Sequence, residues 1–204
     1  MAKRVRTQLK DFHISEKEWK APVHFKVPII CGGDPGKNGG VTLIAGDTVE
    51  TYPMPDSRLD ILTLMRALAV RGCKAFVIEK VHSMPGDGGR QAFTFGAMCE
   101  RLAMATLAAG MALNEVQPQK WQAEFVPPSR STDAVKQLRE QMKSLHGDEL
   151  KQAKKNLTSA MGRARREHKN ALKARAQELF PHLNITLKTA DSVLIAEYGR
   201  RHYL

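Results

Sequence analysis

Ile29-Ile30-Cys31-Gly32-Gly33-Asp34-Pro35-Gly36 reads as a buried strand that delivers an aspartate into a glycine turn. The core starts at Lys26, and strands over 27–33, 41–46 and 48–52 form a meander, with turns at Gly36–Gly40 and Gly46-Asp47. Asp56 is expected to cap a helix through Ala69, with Leu59, Leu62, Leu64, Met65 and Leu68 on its apolar face and Gly72 closing it. Ala75-Phe76-Val77-Ile78-Glu79 is a second strand, continuously apolar as a central strand should be, and it ends on a glutamate. The Gly-rich run Met84–Arg90 leads into a helix over about 91–110. Its small residues, Gly96, Ala97, Ala103 and Ala105 among them, predict a buried or dimer-forming helix. A strand over 112–116 follows, and Pro118 begins a short helix holding Trp121.

The chain has 204 residues and a net charge of +11, enough for one domain with an insertion. That charge favours a polyanionic partner and argues against a metabolite enzyme. Cys31, Cys73 and Cys99 lack metal-ligand spacing and sit in apolar stretches, as reduced core cysteines of a cytoplasmic protein do. No apolar run is long enough to span a bilayer, and no signal-peptide h-region follows the basic start, so no membrane partner is expected.

Residues 1–25 read as a basic N-terminal extension, in which Ser15-x-x-Glu18 can cap a short helix around Trp19. Residues 26–204 read as the domain proper, with a basic helical insertion over about 127–166. From Ser129 to Arg175 thirteen basic residues face five acidic ones, a net +8 of the +11. Helix formers dominate there and large apolar residues are few, which predicts two or three exposed helices with a phosphate-contacting face. On this basis, neutralising Arg163, Arg165 and Arg166 is expected to flatten the salt dependence of DNA binding.

Three strands, then helix–strand–helix–strand, then helices, is the ribonuclease-H-like α/β layout: a mixed five-stranded sheet flanked by helices. Near the end, Ala190-Asp191-Ser192-Val193-Leu194 puts an aspartate on the first turn of an apolar helix. Asp34, Glu79 and Asp191 thus each stand at the tip of a buried element. Mg²⁺ takes oxygen ligands and keeps several waters, so a few carboxylates suffice to hold it. Two such ions about 4 Å apart activate a water and neutralise the leaving oxygen in phosphodiester hydrolysis. Gly32, Gly33 and Gly36 are expected to let a DNA backbone and metal approach closely.

The sequence resembles the RuvC-like Holliday junction resolvases, especially their phage and prophage branch. The matching residues are Gly33-Asp34-Pro35-Gly36, Val77-Ile78-Glu79-Lys80-Val81 with Met84-Pro85-Gly86, and Val116-Gln117-Pro118-Gln119-Lys120-Trp121. Lys169-Asn170-Ala171, Ala176-Gln177-Glu178-Leu179-Phe180-Pro181, Ala190-Asp191 and Leu194 through Arg201 complete them. The match covers roughly 28–125 and 166–201. It implies a homodimer in a bacterial host cell or at its nucleoid. It also implies Mg²⁺- or Mn²⁺-dependent paired nicks at a four-way DNA junction, with two ions per active site. By carry-over, Asp34, Glu79 and Asp191 are metal ligands, and Lys169 is a catalytic lysine near the scissile phosphate. Lys80, His82, Arg90, Phe93, Lys120, Arg163, Arg165, Arg166, Lys169 and Lys188 are the implied DNA contacts, with His82, Met84, Arg90 and Phe93 near the junction centre.

The chain departs from the family at three places. Leu187-Lys188-Thr189 stand where a fourth ligand, Asp or His, is usual, and His182 is a candidate substitute. His82 replaces an aromatic, and Gln122 stands where many relatives carry lysine. These departures keep two alternatives open: a branched-DNA-binding protein of the same fold with weak or no catalysis, and a nuclease for forks or flaps. An actin-like kinase or chaperone also uses a Gly-Asp-x-Gly turn, but no second phosphate loop is found here.

Overall fold

The computed structural model describes residues 27–80, 88–127 and 130–204. The N-terminal extension with Trp19, and His82, Met84, Pro85 and Gly86, lie outside the described residues. Five strands form one sheet in the order β3-β2-β1-β4-β5. They are β1 (Ile29–Asp34), β2 (Gly40–Ala45), β3 (Thr48–Pro53), β4 (Ala75–Glu79) and β5 (Ala112–Val116). β1, β2 and β3 pair antiparallel as the meander, whereas β1–β4 and β4–β5 pair parallel. The sheet is therefore mixed, with β1 at its centre. Gly46, at φ +58°, makes the β2–β3 turn that an L side chain rarely adopts.

Six helices accompany the sheet among the described residues: α1 (Arg58–Val70), α2 (Gly89–Ala108), α3 (Pro118–Phe125), α4 (Arg130–Gln141), α5 (Gly147–Leu179) and α6 (Ala190–Tyr203). The cap of α1 is Ser57 and not the expected Asp56. Its hydroxyl oxygen accepts from the Asp60 amide at 3.1 Å and donates to the Asp60 carboxylate at 2.6 Å, a closed local pair that Asp56 stands one residue too early to make. Gly72, at φ +103°, follows the helix end as expected.

The chain divides into two compact units, one running to Trp121 and resuming at Lys188–Leu204, the other Gln122–Leu187. In the first, α1 and α2 cover one sheet face. Cys31, Leu43, Phe76 and Ile78 pack there with Ile61, Leu64, Met65, Leu68 and Leu102. α6 covers the opposite face, lying on β1, β2 and β4. Glu197 is buried on α6. Burial alone pushes its carboxyl up, but hydrogen bonds from Arg200 (2.7 Å) and Arg201 (2.8 Å) outweigh burial and hold it below the ordinary range. At the sheet edge, Arg71 after α1 binds Glu50 of β3 at 2.5 Å and donates to Tyr52 at 2.6 Å, tying that edge strand to the helix layer.

In the second unit α4 packs on α5, with Val135 and Ala160 buried. α5 runs for 33 residues without a break, through Lys169-Asn170-Ala171 to Leu179. It ends in a segment tied down by Gln177, whose side chain donates to the Leu183 carbonyl at 2.7 Å and accepts from the Ile185 amide at 3.2 Å. No helix among the described residues is long and apolar enough to cross a membrane.

Candidate active site

Asp34 is the last residue of β1 and Glu79 the last of β4. The strands are parallel, and Gly33 stands opposite Ile78 at the end of their register, so the two carboxylates leave the sheet side by side. Side chains alternate along a strand, so Asp34 shares a face with Gly32, and Glu79 with Val77. That face is the one under α6. A Cβ on Gly32 would stand 2.3 Å from the Ala196 nitrogen, and one on Gly199 would stand 2.7 Å from Val77 Cγ2. α6 therefore runs antiparallel to β1, with Ala196 over Gly32 and Gly199 against Ile30. Five helical residues before Ala196, about 7.5 Å, comes Asp191. Two strand residues past Gly32, about 6.6 Å, comes Asp34. The first turn of α6 thus lies at the same sheet end as the two strand carboxylates, and its N-terminal dipole favours the negative charge of Asp191.

Two contacts hold this geometry. Ser192, next to Asp191, shares a 2.9 Å hydrogen bond with Thr42 of β2 and donates to the Thr189 carbonyl at 3.0 Å. Both hydroxyls of the pair are buried, so α6 is pinned to the sheet one residue beyond the carboxylate. The turn after β1 wraps Asp34. The Gly36 amide donates to Asp34 Oδ1 at 3.0 Å, and a Cβ on Gly39 would stand 2.6 Å from the Asp34 carboxyl carbon. The glycines therefore differ from expectation. Gly32 is required by the helix backbone laid on it, and Gly33 by Phe76, whose ring would stand 2.6 Å from a Cβ there. Only Gly36, of the three singled out from the sequence, borders the carboxylate.

Glu79 is the electrostatic centre of the cluster. Burial pushes its carboxyl up to about 7; a hydrogen bond from Trp121 opposes the rise, and the charges of Asp34 and Asp191 add to it. Trp121 is fully buried, and its indole N–H donates to Glu79 Oε1 at 3.1 Å. The sequence marked Trp121 only as part of a motif; an indole donor to Glu79 follows from how α3 returns after β5. Cys99, half-buried on α2, lies within reach of the same charges. Burial, then Glu79 and Asp34, push its thiol up to about 11, so in the metal-free protein it stays protonated at neutral pH.

Among the described residues, no three His, Cys, Asp or Glu side chains close into a ready-made cation cage. The donor set still fits a hard divalent cation. Three carboxylates offer oxygen only, and a half-buried Glu79 crowded by two like charges is relieved by a cation among them. The sign of the effect is testable in metal-free protein. The folded state holds Glu79 above its ordinary value of 4.5, so the stability linked to its proton is present below about pH 4.5 and lost as pH rises through about 7. Glu79→Gln is expected to raise stability by about 2 kcal/mol at pH 8, a few degrees of melting temperature, and to leave it nearly unchanged at pH 4.5. Melting curves with EDTA at both pH values check this; equal shifts at both would show that Glu79 is not electrostatically crowded.

The implied DNA contacts fall into two groups. On the first unit, Lys80 is exposed and paired with Glu115 at 3.1 Å; Arg90 and Phe93 are exposed at the start of α2, Phe93 at 80 %; Lys120 is exposed on α3, and Lys188 in the turn before α6. Arg163, Arg165, Arg166 and Lys169 are exposed on α5 of the second unit. His182 is exposed in the segment after α5, its ring 6.4 Å from Phe180, also within that unit.

No family model matches the chain, and no curated protein matches it. Solved structures do. The T. thermophilus RuvC in complex with a Holliday junction substrate matches with a TM-score of 0.52 at 12% identity, over 86% of this chain and 96% of that one. A second Thermus thermophilus RuvC structure matches with a TM-score of 0.49 at 11% identity, over 85% and 95%. At this identity the first likeness establishes the fold, a ribonuclease-H-like mixed sheet flanked by helices, as the element order had led us to expect.

Proposed function

We propose that this chain is a structure-selective endonuclease that resolves four-way DNA junctions by paired symmetric nicks, in recombination or phage DNA processing. The observation that carries the proposal is the meeting of Asp34, Glu79 and Asp191 at one end of a ribonuclease-H-like sheet. Its solved neighbour was captured on a Holliday junction. The phage or prophage assignment rests on the motif run through Met84-Pro85-Gly86 and Gln117–Trp121.

In this reading Asp34, Glu79 and Asp191 hold Mg²⁺ or Mn²⁺, two per site. Bound there, the metal supplies an activated water and neutralises charge on the leaving oxygen. Trp121 holds one oxygen of the Glu79 carboxylate and leaves the other for a cation. The Gly36 amide fixes one oxygen of Asp34 in the same way. The burial that lifts Glu79 toward neutrality keeps bulk water from screening the carboxylates, which strengthens their hold on a cation. Lys169 supplies positive charge to the phosphate being cut. Lys80, Arg90, Lys120 and Lys188 contact the backbone nearby, and Phe93 and His82 act at the junction centre. A homodimer places two such sites symmetrically, with the exposed Phe93 end of α2 near the junction. The protein works in the bacterial cytoplasm or at the nucleoid.

A second reading is supported by Lys188, which stands one residue before the cap of α6, where the resolvases it resembles carry a fourth ligand. A site with three carboxylates and a lysine can bind branched DNA while cutting it weakly. A nicking assay separates the two, using an immobile four-way junction beside a linear duplex of equal length, with Mg²⁺ or EDTA. Symmetric incisions on the junction alone, lost with EDTA, are expected. Tight junction binding with no incision would replace the nuclease with the binder.

A further inference from the structure

α5 carries its charge on one side. At 3.6 residues per turn, Lys151, Lys155, Arg166, Lys169 and Lys173 fall within about 60° of one another around the axis, a track about 33 Å long. Glu149, Glu167 and Glu178 fall on the far side. α4 also docks away from the track, where Ser131 bonds Glu167 and Arg139 approaches Met161 Sδ at 3.9 Å. Asp148 lies at the N-terminal end of the track, paired with Lys151 at 3.0 Å. Arg163 lies about 60° beyond Arg166, at the rim of the track.

The middle of the track carries only short side chains. Between Lys155 and Arg165 the same face presents Thr158, Ser159 and Gly162, and the Thr158 hydroxyl turns back to the Lys154 carbonyl at 3.0 Å. Arg165 stands beside Arg166 at the edge of the face. A Cβ on Gly162 would meet only the flexible Arg166 side chain, at 3.7 Å. Among the described residues no neighbouring element packs on this glycine, which weakens a long helix by about 1 kcal/mol relative to alanine. Folding contacts within the unit therefore do not account for it.

We propose that this face of α5 lies across a groove of duplex DNA. Lys155 and Arg166 take phosphates on its two sides, and the Thr158–Gly162 saddle sits over the groove between them. The two residues stand about 16 Å apart along the axis, and Arg166 reaches back toward Gly162, so the two cations can bracket a major groove about 12 Å wide. The saddle has no side chain long enough to read bases, so the contact is indifferent to sequence. Two other partners fit less well. The face has no aromatic residue on which single-stranded bases could stack. It also has no large apolar residue to enter a membrane surface or a protein groove.

The inference deepens the junction-nuclease proposal by naming the face that grips a duplex arm. Its test is read on linear duplex binding, apart from incision. The double variant K155A/R166A and a control double of equal charge off the track, K136A/R175A, are titrated by fluorescence anisotropy from 50 to 300 mM salt. K155A/R166A is expected to reduce the salt slope by about 1.8, and the control by well under 1. G162L is expected to weaken duplex binding by about tenfold, while circular dichroism shows helix content unchanged or higher. Equal slope changes in the two doubles, or wild-type binding by G162L, would overturn the inference. Junction incision that survives those results would leave the nuclease proposal standing. Duplex loss in K155A/R166A from a protein that never cuts would sink the nuclease proposal and keep this one.

Discussion

Asp34→Asn is expected to abolish metal-dependent incision of a four-way junction while leaving junction binding unchanged or tighter. The fold should survive, because asparagine Oδ1 can still accept the Gly36 amide that aspartate accepts at 3.0 Å, and it occupies the same space beside Gly39. What is lost is one unit of negative charge and, on the proposed function, a strong cation ligand. A ligand's share of metal-assisted catalysis is several kcal/mol, so the single-turnover rate should fall by about 10³ or more. Removing that charge beside a polyanion lowers repulsion, hence the unchanged or improved affinity. It also relieves Glu79 of one of the two like charges that lift it, so its carboxyl should move down from about 7. Single-turnover incision and anisotropy on the same preparation check both halves. Robust Mg²⁺-dependent cutting by this variant would remove Asp34 from the site.

Gly32→Ala is the substitution expected to damage the fold most. The added Cβ would stand 2.3 Å from the Ala196 nitrogen, 2.5 Å from its Cα and 2.8 Å from the Ile195 carbonyl carbon. All three are backbone atoms, so no side chain can turn aside; α6 has to lift from the central strand. The lift opens a fully buried seam from Ser192 to Gly199 and loosens the Thr42–Ser192 hydrogen bond. A loss above about 4 kcal/mol is expected, against about 1 for an ordinary substitution. Thermal melts check it, with Gly162→Ala as the contrast. That change adds the same methyl group where only a flexible side chain is near, and it should be neutral or stabilising. Equal melting temperatures for the two variants would mean that the β1–α6 seam is not tight.

Much of this was legible in the sequence because the relevant elements are strongly patterned. β1 and β4 are short apolar runs ended by a carboxylate, and the register of parallel strands converts equal positions in two runs into neighbours in space. The end of α1 was legible from Gly72, but its start was not, since Asp56 and Ser57 are both good caps and only the reciprocal bond to Asp60 decides between them. Glycine was read by its freedom near a ligand, whereas Gly32 and Gly33 are there for what a helix and a phenyl ring demand of them. Trp121 and Cys99 reach Glu79 through tertiary packing between distant segments, for which one sequence carries no period or spacing. The stretch 129–175 was expected to hold two or three helices, and α4 and α5 are found there; α5 runs on to Leu179 because nothing after Gly147 breaks it, and Gly162 alone does not.

The order in which the site's parts occur along the chain bears on how the protein is made. β1, β2 and β4 are all complete before Val116, yet the helix that lies on their other face begins only at Ala190, after the whole second unit. During synthesis the sheet therefore waits for more than seventy residues with Ile30, Ile44 and Val77 uncovered on one side. Contacts between segments so far apart in sequence form slowly, and a bare sheet face is the kind of surface that associates wrongly in the interval. The same delay withholds Asp191 from Asp34 and Glu79. A nascent chain then carries only two of the three carboxylates, and the cluster is completed together with the last piece of the core.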